Sequence, residues 1–173
     1  MTTASLMTSK LFTVKPDDTV ADALQLMYRE HVHNLPVVDD NGAFVGLFGL
    51  RLLSRILLPL VASDLGRHRI SNLHFLPDET LLVTDRWQEV ADQPVANFLE
   101  SKKKLRFCTP DTRLPQLLSL IDSSGGTTLP VIVVEKDSSH VVGMISSWDV
   151  LETIVMGCLV NGAAGEPGSA DDD

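Results

Sequence analysis

The sequence predicts an α+β fold made of two copies of one β-α-β-β-α unit, with a helical insert between them. Three observations carry this reading. Thr13–Leu24 (T-V-K-P-D-D-T-V-A-D-A-L) and Phe107–Leu118 (F-C-T-P-D-T-R-L-P-Q-L-L) place Pro16-Asp17 on Pro110-Asp111 at a shift of 94. At the same shift, Val20, Ala23, Leu24 and Met27 fall on Leu114, Leu117, Leu118 and Ile121, the spacing of one helix face. Leu35-Pro36-Val37 falls on Leu129-Pro130-Val131, and after three inserted residues Gly46 meets Gly143 at a shift of 97. A unit of about 50 residues is too small to bury its own apolar face, so the two copies are expected to pack on each other. A cleft between two similar halves is a natural ligand site.

The elements follow in order. An extended piece, Leu11–Val14, leads into the Pro16-Asp17 turn, and Thr19 caps a helix running to about Glu30, with Asp22 as its return partner. Leu35–Val38, the turn Asp39-Asp40-Asn41-Gly42 and Ala43–Phe48 form a hairpin. A closing helix, Leu50–Leu58, completes the first repeat. The second repeat reads alike: an extended Arg106–Cys108, then a helix from Arg113 to Asp122 that Ser123-Ser124-Gly125-Gly126 stops. Its hairpin runs over Leu129–Val134, the polar turn Glu135–His140 and Val141–Ile145, and its closing helix over Ser147–Met156.

Between the copies, Asp78–Ala91 has helical spacing, with Leu82, Trp87 and Val90 toward one side. Pro94 suits the first turn of a following helix, Val95–Glu100, which mirrors Ala4–Ser9. Ser101–Lys104 reads as a solvated basic loop. The chain therefore divides into repeat one (1–59), an insert (60–94), repeat two (95–160) and a Gly/Ala/acid-rich tail (161–173) expected to be disordered.

Bulk properties narrow the function. The 173 residues carry a net charge of −9, which disfavours nonspecific binding to nucleic acid or anionic lipid. No stretch approaches the roughly 20 apolar residues of a membrane span, and the N-terminus lacks the basic flank and apolar run of a secretory signal. Two isolated cysteines, Cys108 and Cys158, lack metal-like spacing and suit a reducing cytoplasm. No nucleophile, glycine-rich phosphate loop or carboxylate pair marks an active site, so no enzyme and no cofactor are expected. His31-x-His33 has no supporting ligand for a metal and reads as loop or pocket wall. Trp87 and Trp148 read as packing or interface residues.

The Pro-Asp helix start, Leu35-Pro36-Val37-Val38, the hairpins and the run Val142-Gly143-Met144-Ile145-Ser146-Ser147-Trp148-Asp149-Val150-Leu151 together resemble the cystathionine-β-synthase (CBS) domain. Two in tandem look like a Bateman module, covering about residues 4–58 and 95–156. The resemblance implies packing of the repeats about a pseudo-twofold axis, a regulatory role, and clefts for an adenosine nucleotide (AMP, ADP or ATP) or S-adenosylmethionine. It assigns the ribose hydroxyls to Asp149 and the neighbourhood of the phosphate to Ser146, beside Ile145. It assigns the adenine walls to Thr13 and Val14 on one side and His33, Asn34 and Leu35 on the other.

The chemistry fits. A carboxylate accepts two hydrogen bonds from a vicinal diol, and a hydroxyl at a helix start lies beside free N–H groups. Ser146-x-x-Asp149 is equally a helix capping box, which needs no ligand.

The first repeat departs from the family pattern. Gly46-Leu47-Phe48-Gly49-Leu50-Arg51-Leu52 puts Gly49 in place of the hydroxyl and Leu52 in place of the carboxylate. Ribose hydroxyls there would go unpaired, at about 1–3 kcal/mol, so the cleft walled by Cys108, Thr109, Thr127 and Thr128 is expected to bind no nucleotide in the usual pose. Arg51 remains for a phosphate or an acidic partner.

Apolar residues left over on the closing helices (Leu50, Leu53, Leu57; Val150, Ile154) imply a homodimer, the family's usual assembly. The expected function is a cytoplasmic sensor of an adenosine ligand that signals to a partner enzyme or transporter. The alternative is a ligand-free module that dimerises and docks a partner through its insert.

Overall fold

The structure, a computed structural model, describes residues 1–52, 79–122 and 129–162. Closing-helix residues 53–58, the insert up to Asp78, the stop at Ser123–Gly126 and the tail from residue 163 lie outside the described residues. Two compact units are present. One comprises Leu11–Lys104 and Asp137–Val141; the other comprises Met1–Lys10, Leu105–Lys136 and Val142–Asp173. The division expected at 59/60 and 94/95 is one of the sequence, and the compact units interleave across it.

In the first unit, helix α1 (Val20–Glu30) begins where Thr19 caps it: Thr19 Oγ1 accepts from Asp22 N at 3.1 Å. The expected return from Asp22 goes to that hydroxyl, 2.7 Å from Oδ2, and not to the Thr19 N–H. His31 ends the helix in the left-handed region (φ 55°), a place usually held by glycine. Val20, Ala23 and Met27 turn inward, the face the periodicity marked.

The hairpin follows as β1 (Asn34–Val38) and β2 (Phe44–Gly49), antiparallel, with a bulge between Val37 and Val38. Asp39 Oδ1 accepts from Asn41 N and Ala43 N, both at 2.9 Å, and Gly42 supplies the positive φ of 78° that the turn needs. The extended piece expected over Leu11–Val14 reduces to one parallel bridge, Val14 to Val37. Residues 50–52 begin the closing helix. Helix α2 (Glu79–Val90) brings Val90 into the interior and packs Trp87 against it, the packing role expected of that tryptophan. Leu35, Val37, Phe48 and Val95 are fully buried in this core.

In the second unit, β3 (Arg106–Cys108) pairs in parallel with β4 (Val131–Val134), and β5 (Val141–Ile145) adjoins β4. Helix α3 (Leu114–Asp122) buries Leu117. Helix α4 spans Ser147–Gly162, six residues past the expected end, and runs through Gly157. Val150, expected to be left over for an interface, is only 4% exposed and belongs to this core with Leu6, Cys108, Val131 and Ile145. The first turn of α4 lies over its own sheet, which takes Val150 inward.

The lead segments are exchanged. The first residues of repeat one pack on repeat two, and the first residues of repeat two pack on repeat one. Thr3 N and Ala4 N donate to Thr112 O and Pro110 O at 2.8 and 2.9 Å, while Val95 N and Ala96 N donate to Asp18 O and Pro16 O at 2.8 and 3.0 Å. The matching register is therefore Thr3–Thr8 with Val95–Glu100, one residue from the expected pairing, and each helix expected there is a single 3-10 turn. Glu100 is buried, and its Oε1 has no hydrogen-bond partner among the described residues. No helix among those residues is long and apolar enough to cross a membrane.

The exchange predicts where a core deletion is felt. Leu6→Ala should cost about 2–5 kcal/mol, with hydrogen exchange accelerated in Val131–Val134 and little changed in Leu35–Val37. A lead segment docked on its own repeat would give the opposite pattern.

Candidate functional site

The second repeat's motif is built from its strand end upward. Gly143 has no room for a side chain, since a Cβ there would lie 2.6 Å from Met7 Sδ. Beside it, Thr8 and Met144 exchange backbone hydrogen bonds of 3.0 and 3.1 Å. Ile145 is fully buried, which fixes the end of β5 and places Ser146 at the start of α4.

Ser146 and Asp149 then close a reciprocal cap. Ser146 N and Oγ each donate to Asp149 Oδ2 at 2.6 Å, and Asp149 N donates to Ser146 Oγ at 3.3 Å. Asp149 O accepts from Thr153 Oγ1 at 2.9 Å, tying the first two turns together. Oδ1 of Asp149 accepts no hydrogen bond among the described residues. Both residues are half-buried. A fixed carboxylate with one unengaged oxygen at a helix start can accept a hydroxyl pair from a ligand.

The other expected site residues belong to the first unit. Thr13 and His33 are exposed, Asn34 is half-buried, and Val14 and Leu35 are core residues. The side chains of Val14, Leu35 and Ile145 are buried in the cores, which leaves their backbone for a ligand. The structure brings Ile145, Ser146 and Asp149 together in one unit, and Val14, His33, Asn34 and Leu35 together in the other.

The first repeat's motif repeats the glycine but not the cap. A Cβ on Gly46 would lie 2.7 Å from Leu99 Cδ1, the counterpart of Met7 over Gly143, and Glu100 N donates to Leu47 O at 2.8 Å. At Gly49, Leu50 N donates to His33 O at 3.0 Å, and the half-buried Leu52 supplies no acceptor. Arg51 is exposed. Of the expected walls here, Cys108 is buried with its Sγ 3.9 Å from Thr3 Oγ1, and burial pushes its thiol pKa up. Thr109 is occupied locally, accepting and donating within the turn to Thr112. Thr127 and Thr128 lie outside the described residues.

Sequence reasoning missed a second concavity. A cleft of about 500 Å³ opens on the first unit between Leu24, Met27, Tyr28, His31, His33 and Leu50. Its signal was Tyr28, a large apolar-bodied side chain 83% exposed one helical turn after Leu24 on α1. Among the described residues no group of His, Cys, Asp or Glu could hold a metal, His31 and His33 included.

Known proteins share this design. The family model for the CBS domain matches residues 4–58 and 95–156. Protein MJ0188 of Methanocaldococcus jannaschii is 23% identical over 147 residues, covering 85% of this chain and 42% of that protein. Protein MJ1426 of the same organism is 45% identical over 42 residues, 24% of this chain and 25% of that protein. The chain thus spans less than half the length of either curated relative. The CBS-pair protein CBSX2 from Arabidopsis thaliana superposes with a TM-score of 0.65 at 21% identity, covering 90% of this chain and 94% of that one. A crystal structure of CBSX2 in complex with AMP gives 0.63 at 20% identity, covering 90% and 96%.

The cap makes one prediction of its own. Asp149→Ala should fold normally and lose about 0.5–2 kcal/mol in urea unfolding, the worth of a helix cap.

Proposed function

The chain belongs to the CBS-domain family, and from that premise we propose that it is a regulatory module that binds an adenosine-containing ligand and signals to a partner protein. The observation that carries the proposal is the cap at α4, where Ser146 holds Asp149 by one carboxylate oxygen and leaves Oδ1 for a ribose diol. The AMP held by the similarly folded CBSX2 supports the class of ligand. AMP, ADP, ATP and S-adenosylmethionine share the adenosine that this chemistry reads. The family resemblance assigns the base to Thr13, Val14, His33, Asn34 and Leu35 and the ribose end to Ile145, Ser146 and Asp149, and we propose these residues as the ligand contacts.

The first repeat offers neither hydroxyl nor carboxylate, so one ligand binds per chain. The module has no catalytic role of its own. It works in the cytoplasm, where a buried free thiol such as Cys108 stays reduced, and its partner is an enzyme or a transporter.

An exposed apolar face supports self-association. Trp148, Leu151, Ile154 and Val155 of α4 are 69%, 49%, 42% and 45% exposed. We assign this face to a homodimer, whose geometry ligand binding shifts. It also favours the second reading, a module that only dimerises and docks a partner.

Two experiments test these readings. In thermal unfolding, one adenosine compound at 100 times its Kd should stabilise the wild type by about 2.7 kcal/mol, and Asp149→Ala should show no shift. A well-folded wild type with no shift for AMP, ADP, ATP or S-adenosylmethionine leaves the ligand-free module. In sedimentation, the wild type should be a dimer that Leu151→Glu dissociates; a wild-type monomer removes the dimer from the proposal.

A further inference from the structure

The two lead segments are docked unequally. Thr8 and Glu100 hold equivalent places in them, each against the outer edge of a hairpin's second strand, β5 and β2 respectively. Thr8 is exposed, and its backbone both donates to and accepts from Met144, at 3.0 and 3.1 Å. Glu100 N donates to Leu47 O at 2.8 Å, but among the described residues Leu47 N makes no return bond to the segment. Glu100 is also only 3% exposed, and its Oε1 is buried without a hydrogen-bond partner.

A carboxyl oxygen buried without a partner costs stability, and water removes that cost once the group leaves. The other end of the same segment is held firmly. Val95 is fully buried, and Val95 N and Ala96 N donate to Asp18 O and Pro16 O. Between the two ends, Leu99 Cδ1 lies 2.7 Å from where a Cβ on Gly46 would be, which leaves no room for a side chain at 46. The segment is therefore anchored at Val95 and loosely latched at Glu100. Beyond the latch come Lys102–Lys104, and at Lys104–Leu105 the chain passes from the first compact unit to the second.

We propose that Val95–Lys104 is a strap poised to open, undocking from β2 at Glu100 while Val95 holds, in an equilibrium separate from the unfolding of either unit. Opening frees the outer edge of β2 and slackens the chain where it crosses between units. The doubly bonded segment Met1–Lys10 lacks this freedom. Elements that move in regulation are drawn from the least stable parts of a fold, and the buried carboxyl group puts this segment among them. The inference does not depend on the ligand proposed above.

Amide hydrogen exchange of the whole chain, read residue by residue by NMR in low urea, tests it. After correction for intrinsic rates, the Glu100 amide should exchange at least about tenfold faster than those of Thr8 and Met144, while Val95, Leu35 and Val37 stay protected. Glu100→Met fills the place without a polar group and should slow exchange at position 100 about tenfold, the worth of one unmet buried polar group. Gly46→Ala pushes Leu99 off its seat and should speed exchange at Glu100. Neither variant should change Thr8. Equal protection of Glu100 and Thr8 in the wild type overturns the inference, as does unchanged or faster exchange at position 100 in Glu100→Met. A Gly46→Ala variant that leaves Glu100 unchanged, or that exposes Leu35 and Val37 as fast as Glu100, overturns it too.

Discussion

Each repeat depends on the segment that opens the other repeat in sequence. Thr8 pairs with Met144 and Glu100 bonds to Leu47 O, in both cases along an outer strand of a sheet whose backbone groups would otherwise be unpaired. Met7 and Leu99 lie directly over Gly143 and Gly46, closer than any side chain on those residues would allow. Leu6 and Val95 are buried in cores they would not reach if each lead segment packed on its own repeat. The two glycines are thus the points at which the exchange is fixed.

The functional motif grows from that contact. Met144 is held from both sides of its peptide by Thr8, Ile145 is sunk in the core, and Ser146 comes next at the head of α4. Three hydrogen bonds with Asp149, two of them at 2.6 Å, complete the cap and leave one oxygen unengaged among the described residues. A carboxylate fixed before the ligand arrives loses little freedom on binding. In the proposed mechanism, a ligand at the cap biases the strand end on which Met1–Lys10 is docked. That segment continues at Leu11 into the other compact unit, which gives the bias a covalent route between units.

What the sequence made legible was what side chains encode. Thr19 and Asp22 announced the start of α1, Asp39 to Gly42 the first turn, and Ser146-x-x-Asp149 the cap of α4. The exchange of lead segments was not legible, because backbone hydrogen bonds such as Ala4 N to Pro110 O carry no residue signature. The glycines at 46 and 143 were visible as a repeat, but the reason for them was a neighbour distant in sequence. Val14 and Leu35 were assigned to a ligand wall by resemblance, and their side chains are buried in the core.

The central claim is the proposal that an adenosine ligand engages the cap at α4. Backbone chemical-shift mapping of the labelled protein during titration with AMP tests it most directly. Saturable shifts are expected at Ile145–Asp149, at one AMP per chain. Shifts confined to Leu47–Leu52 and Cys108–Thr109, or no saturable shifts with any of the four adenosine compounds, would contradict it.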